Sequence, residues 1–480
     1  MTILDSHTLI RAQRDVQVPF ELRVRQSDDR ESIVKFLKIE RLLPGKRIVA
    51  MADCDGQRIL VKTFLGRTAN RYAAQERFGV SHMIDAGVRT PRLLWQAELV
   101  DGPGQMLAFQ YIDNSLSLQD RWDRATEDYE RVDVLTRAMI IIAQLHNQGV
   151  VQTDIHLANF LMSKNKIYTI DGGGIVRDSV PPLREDLSLK NLSWFFAQFF
   201  PKFDEFVQIV FPAYETVRGW SADPDRVISL HEKVTLSREA RKKHYLDKAF
   251  RDCTRFVCQS SLSRFMVCER SAYNDDLAAL LKDPDKFMAN GLVLKDGNSA
   301  TVTRVKVSGR TLVVKRYNIK NPWHGLLRAF QKSRAWLSWS NAFHMEFLGI
   351  RSLRPIAMLE NRLGPIRSSA YFITEYIEGP DVLDFLGKTT CPNGELEALV
   401  LLLSNLSESK ISHGDMKATN FLMAEEGPII IDLDAMRQHK SRESFDRAFE
   451  KDLERFMQNW EGHPELESRF EGLLSKLSQG

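Results

Sequence analysis

Two alternating apolar runs, Ile48-Val49-Ala50-Met51-Ala52 and Arg58-Ile59-Leu60-Val61-Lys62, flank Asp55-Gly56. Period-two segments on either side of Asp-Gly predict a β-hairpin. Ala69 to Gly87 then takes helical spacing, and Met106 to Phe109 is an apolar strand running into Gln110-Tyr111-Ile112-Asp113, a stretch suited to a hinge. A further helix from about Val132 to Asn147 stops at Gly149. The succession then restarts. A hairpin about Ser308-Gly309 has Thr311 to Lys315 as its second strand, Tyr371 to Gly379 repeats strand and hinge, and a helix spans about Glu395 to Leu406. The last forty residues are helical in pattern. Residues 1–35 are polar and charged and read as an N-terminal extension; turn residues at Tyr273-Asn274-Asp275-Asp276 and Lys282-Asp283-Pro284-Asp285 place a boundary between domains at 36–275 and 276–480.

Each half carries one loop rich in chemistry. Thr153-Asp154-Ile155-His156-Leu157-Ala158-Asn159-Phe160-Leu161-Met162 is followed by Ile170-Asp171, and His413-Gly414-Asp415-Met416-Lys417-Ala418-Thr419-Asn420-Phe421-Leu422-Met423 by Ile431-Asp432. Asp154 and Asp415, Asn159 and Asn420, and Asp171 and Asp432 are each 261 positions apart, and Asn-Phe-Leu-Met is identical in both loops. Three polar positions at one offset indicate an internal repeat. An aspartate, an asparagine five residues on and a second aspartate ending an apolar strand suit phosphoryl transfer. The first accepts a proton from an attacking hydroxyl, and the other two offer hard oxygens to magnesium on nucleotide phosphates. The expected fold class is α+β, with two tandem protein-kinase-like domains, each a β-rich N-lobe and a helical C-lobe.

Lys62 and Lys315 each stand six residues beyond their hairpin glycines, Gly56 and Gly309, where a lysine reaches nucleotide phosphates. Solvated strand-end lysines are the alternative. Leu43-Pro44-Gly45-Lys46-Arg47 and residues 294–302 occupy the place of a phosphate cover. Glu76, on the first predicted helix, can pair with Lys62 or be a surface acid. The second half has Ser338 at the equivalent position, with Glu346 or Asn341 as substitutes, and Asp434 as an added metal ligand.

A net charge of +3 on 480 residues gives little reason to expect a nucleic-acid partner. The five cysteines lack CxxC spacing, which favours reduced thiols in the cytoplasm over zinc. Met1 to Phe20 has no apolar core of a signal peptide, and no apolar run approaches the ~20 residues that span a bilayer. Three segments stay open. The aromatic-rich 187–211 reads as helical core or a membrane-facing patch, and basic 238–244 as a solvated face or an anion contact. Residues 317–339, where Lys320, Arg328, Lys332 and Arg334 interleave with Trp323, His324, Phe330, Trp336 and Trp339, suit either a membrane interface or a docked amphipathic helix.

His413-Gly414-Asp415-x-Lys417-x-x-Asn420-Phe421-Leu422 with Ile431-Asp432-Leu433-Asp434 resembles the bacterial lipopolysaccharide kinases, the group of Kdo and core-heptose kinases. Lys315-Arg316-Tyr317-Asn318 and Ser333-Arg334-Ala335-Trp336 are similar to that group too. The resemblance covers residues 290–460 and, more loosely, 40–190, in a tandem form like those at pseudomonad core-biosynthesis loci. It implies transfer of the γ-phosphate of ATP, with Mg2+, to a sugar hydroxyl, that of a heptose, of the lipopolysaccharide inner core at the inner face of the inner membrane. Asp154 and Asp415 would be catalytic, Asn159, Asp171, Asn420 and Asp432 metal ligands, and Lys62, Glu76, Lys315 and Lys417 would serve the nucleotide. The first half departs from the motif with Gln152-Thr153-Asp154 and with His156 in place of lysine; the second lacks an evident partner for Lys315. A kinase acting on protein hydroxyls and a regulatory pseudokinase scaffold remain as alternatives.

Overall fold

In a computed structural model of the chain, residues 2–178, 180–318, 332–363, 366–388 and 393–477 are described. The chain divides into two compact units, Met1–Phe199 with Phe203–Arg238, and Glu239–Gly480 with Phe200–Lys202.

In the first unit the alternating segments close into a six-stranded barrel. Its spatial order is Phe20–Gln26, Glu31–Leu43, Arg47–Cys54, Gln57–Leu65, Gly104–Gln110 and Leu93–Leu99, the last pairing back onto the first. Phe20, Leu22, Val24, Val34 and Phe36 fill its interior, so residues 20–35 are barrel wall and not an extension. Their period-two pattern is masked by the charged residues of the outer face, such as Glu21, Arg23 and Arg25. A second core forms beneath the sheet around helices Asp128–Asn147, Glu185–Phe196 and Phe206–Arg218. Phe195, Phe196 and Phe211 are buried there, which makes the aromatic-rich segment core.

The second unit is built on a seven-stranded sheet ordered Phe256–Ser260, Arg264–Glu269, Pro355–Leu363, Ile366–Glu375, Arg310–Tyr317, Ala300–Val307 and Leu292–Asp296. Its first two strands precede the boundary expected at 275/276. The turn residues that suggested that boundary are helix caps instead. Asn274 accepts from the Leu277 amide at 2.9 Å and Asp283 from the Lys286 amide at 3.3 Å, opening helices Asp275–Lys282 and Pro284–Ala289. Caps and linkers draw on the same residue types, because both need a side chain that bonds local backbone.

Helix Arg334–Leu348 begins where Ser333 Oγ accepts from the Trp336 amide at 3.0 Å and ends at Gly349, φ 71°. It buries Ala335, Ser338, Trp339, Ala342 and Met345, one mostly apolar stripe at helical spacing. Trp336 stacks on Phe250 at 3.8 Å, and Trp339 Nε1 donates to the Ala249 carbonyl at 2.8 Å. This end of the basic–aromatic segment therefore docks into the core; Lys320, Trp323, His324, Arg328 and Phe330 lie outside the described residues. Cys54, Cys253, Cys258 and Cys268 are free thiols, and Cys391 is outside the described residues. Among the described residues, no helix is long and apolar enough to cross a membrane.

Candidate functional site

The first unit's lysine strand, Gln57–Leu65, and helix Ala69–Asp85 bring Lys62 and Glu76 together. Lys62 Nζ lies 2.5 Å from Glu76 Oε1 and 3.4 Å from Asp171 Oδ1. Glu76 sits in the helix's buried stripe with Ala69, Ala73, Val80 and Met83. Its carboxylate accepts from the amides of Gly172 and Gly173 at 2.9 and 3.0 Å. A buried charge held by a lysine and two amides is fully compensated. Close packing makes the contact possible: a Cβ on Gly79 would lie 1.8 Å from the Gly172 carbonyl oxygen. Asp171, at φ 67°, also faces Arg41 at 3.7 Å and Arg47 at 3.8 Å. Burial raises its pKa, but Lys62, Arg47 and Arg41 outweigh this and hold the carboxyl below its ordinary value.

Lys62, Asn159 and Asp171 line one cavity of about 530 Å³, together with Arg41, Arg47 and the hinge residue Gln110. Asn159 donates Nδ2 to the Asp154 carbonyl at 2.7 Å. Asp154 itself is not among the cavity residues; its side chain is 71% exposed, 3.7 Å from His156.

The second unit reaches a similar arrangement by a different route. Lys315 Nζ lies 2.5 Å from Asp432 Oδ1 and 3.8 Å from Asp434, and Arg334, in the first turn of its helix, lies 2.7 Å from Asp434. Asp434 is therefore the second carboxylate on the lysine, where the first unit uses Glu76. The residue at the equivalent position and both substitutes are engaged elsewhere. Ser338 is buried against the Tyr317 hydroxyl at 2.7 Å, Glu346 pairs with Arg255 at 2.6 Å, and Asn341 donates to the Leu433 and Met436 carbonyls. Burial raises the Asp432 pKa, but Lys315 more than offsets it; Asp434 is raised, by burial and then by the Asp432 charge.

Asp415 sits between two cations, with Arg455 Nε donating to Oδ1 at 2.7 Å and Lys417 Nζ 3.2 Å from Oδ2. Partial burial pushes its pKa up, and the Arg455 and Lys417 contacts prevail, leaving it below the ordinary carboxylate range. Its loop is fixed from behind. Asp452, in helix Arg442–Met457, accepts from the amides of His413 and Gly414 at 2.6 and 2.9 Å. Asn420 donates Nδ2 to the Asp415 carbonyl at 2.8 Å, which leaves Oδ1 as its acceptor. Asn420, Asp432, Lys315 and Arg334 line a cavity of about 510 Å³ whose apolar walls include Val302, Phe372 and Leu422.

Residues 287–470 match the model of the Lipopolysaccharide kinase (Kdo/WaaP) family. Over this segment the chain is similar to that family. No curated protein matches the chain. A kinase of this family acts on lipopolysaccharide sugars and uses ATP, typically with a divalent metal. Among the described residues no cluster of three or more His, Cys, Asp or Glu forms a metal cage. The second unit's cavity nevertheless has oxygens that suit magnesium, which takes one or two protein oxygens and draws the rest from phosphate and water. Asp432 and the amide oxygen of Asn420 are such a pair on one cavity.

Sequence reasoning placed both lysines and both loops, and missed the roles of Arg334, Arg455, Asp452, Arg41 and Arg47. For Asp452 a signal existed, as an acid within the apolar series Phe445, Phe449, Phe456. Extending the repeat by the same 261 positions reaches Asn191, which donates to the Gln152 carbonyl at 3.0 Å behind the first loop. Arg455 has no such signal, and its counterpart at that offset is Trp194.

Proposed function

We propose that the chain is a tandem kinase-like protein whose second unit transfers phosphate from ATP, with Mg2+, to a heptose hydroxyl of the lipopolysaccharide inner core, at the inner face of the inner membrane. The observation that carries this reading is the assembly at Asp415: a carboxylate held by Arg455 and Lys417, on a loop pinned by Asp452, beside a cavity that contains Lys315, Asn420 and Asp432. Asp415 orients the acceptor hydroxyl and takes its proton. Its low pKa keeps it ionised to do so. Lys417 balances charge on the transferring group, and Lys315 holds the phosphates. Bound magnesium would be held by Asp432 and Asn420 and would neutralise charge on the phosphate oxygens.

The first unit supports a second reading, a nucleotide-binding partner with little or no transfer activity. Its loop has His156 where the second has Lys417, and Trp194 where the second has Arg455.

Transfer of radiolabelled γ-phosphate to dephosphorylated core oligosaccharide tests both readings. Asp415→Ala is expected to lose at least about 100-fold in rate, the lower end for removing a general base, with Asp154→Ala close to wild type. Loss in Asp154→Ala alone would move catalysis to the first unit. Absence of transfer by the wild type would sink the sugar-kinase reading.

A further inference from the structure

The metal ligands expected in the first unit do not suit a divalent cation. Asp171, the carboxylate that would hold it, has Lys62, Arg41 and Arg47 within 3.8 Å. Within this ion-pair cluster three cations meet two carboxylates, Asp171 and Glu76, while Glu40, paired with Lys38, and Asp120 also line the cavity. In the second unit Lys315 and Arg334 face Asp432 and Asp434, and the charges balance. A dication entering beside Asp171 meets a carboxylate that three cations already hold.

The arginines are aimed there by the backbone. Strand Glu31–Leu43 carries two irregularities against its neighbour, between Phe36 and Lys38 and between Ile39 and Arg41. Each extra residue shifts the side-chain alternation by one. Phe36, Ile39 and Leu42 thereby all face the barrel core, while Arg41 joins Arg47, from the next strand, on the cavity wall. Apolar Val49, Leu60, Leu161 and Ile170 line the same cavity and offer faces for a planar base.

We propose that the first unit's cleft binds a nucleoside triphosphate without a divalent metal, with Arg41, Arg47 and Lys62 supplying the charge that magnesium supplies elsewhere. Guanidinium groups pair with phosphate oxygens in bidentate fashion, so two arginines and a lysine can neutralise a phosphate chain directly. Asp171 then acts as a stand-in anion that keeps the arginines gathered in the empty cleft and yields them to the phosphates. This rests on reading the first unit as a nucleotide cleft. Its readout is binding, so it fails or stands independently of Asp415-dependent transfer.

The test is calorimetric titration of the full chain with ATP in EDTA. One site is expected, weakened at least fivefold by excess Mg2+, which removes charge from the nucleotide. Arg41→Ala with Arg47→Ala should weaken binding in EDTA tenfold or more, and Lys315→Met should change it less than twofold. The near-isosteric Asp171→Asn removes the competing anion and should tighten binding in EDTA; it keeps the test open if the arginine variant fails to fold. No binding in EDTA, loss of it in Lys315→Met, or weaker binding in Asp171→Asn would each overturn the proposal. Inorganic tripolyphosphate matching ATP would overturn the assignment of a nucleoside.

Discussion

Glu76 and Asp452 do the same job in different places. Each is an acid set into the apolar stripe of a helix, and each accepts from two successive backbone amides of a loop that carries functional groups. Removing such an acceptor leaves buried amides unsatisfied, at about 1–3 kcal/mol apiece. Asp452→Ala should therefore lower the rate at unchanged nucleotide affinity, because the loop bearing Asp415 loses its anchor; equal losses in rate and affinity would show the anchor idea to be wrong. Arg455 acts on the carboxylate itself. With this cation gone, the Asp415 pKa rises, so the acidic limb of the pH–rate profile in Arg455→Ala should move to higher pH. A limb that stays put would mean that Asp415 is not the titrating group. Acids inside apolar stripes are legible in a sequence once the stripe is drawn. Arg455 is not, because an exposed arginine on a helix looks the same whether or not it meets a carboxylate forty residues away in sequence.

At the scale of elements, the close approach of helix Ala69–Asp85 to the glycine turn after Asp171 decides whether Lys62 finds its partner. Gly79→Ala forces a Cβ against the Gly172 carbonyl. Overpacking of this kind costs about 1–3 kcal/mol, or a fall of about 2–12 °C in the melting temperature of the first unit. Glu76→Ala should cost more, about 3–5 kcal/mol, since it takes the nearer carboxylate from a buried lysine and the acceptor from two backbone amides. A calorimetric scan of both variants checks the order; a larger loss in Gly79→Ala would mean that packing outweighs the ion pair. The hairpins, the helix that carries Glu76 and both hinge strands could be read from periodicity and Asp-Gly or Ser-Gly turns. Strands Phe20–Gln26 and Phe256–Ser260 could not. The first hides behind a charged outer face, and the second precedes capped helices whose asparagine and aspartate look like a linker. The route by which Asp434 replaces a helix glutamate depends on tertiary contacts that no local pattern encodes.

Across the whole molecule, each unit has its own sheet core and helical core. Each also buries a neutral histidine, His146 in the first and His344 in the second, with pKa values pushed down to about 3 by burial. A folded-state pKa below the unfolded 6.5 means that the unfolded chain binds more protons between those values. Stability is therefore full above about pH 6.5 and falls as the pH drops towards 3, at up to about 1.4 kcal/mol per pH unit for each histidine. Denaturation midpoints measured from pH 7 to pH 4 should show this slope, reduced in His344→Leu; a flat profile would contradict it.

His146 belongs to a directional chain. Arg218 donates to the Tyr214 hydroxyl at 2.6 Å, that hydroxyl bonds His146 Nδ1 at 2.7 Å, and His146 Nε2 meets Asn191 Oδ1 at 3.0 Å. The amide oxygen of Asn191 is thus turned to His146, and its NH2 group reaches the loop, where it donates to a carbonyl. Asp452 presents the opposite polarity and accepts from amides. A chimera that grafts residues 413–417 into the first unit would bring a loop shaped for an acceptor to a side chain that presents its NH2 group there. Loop and supporting helix form one exchangeable part, and a swap of either alone carries a mismatch in proton direction.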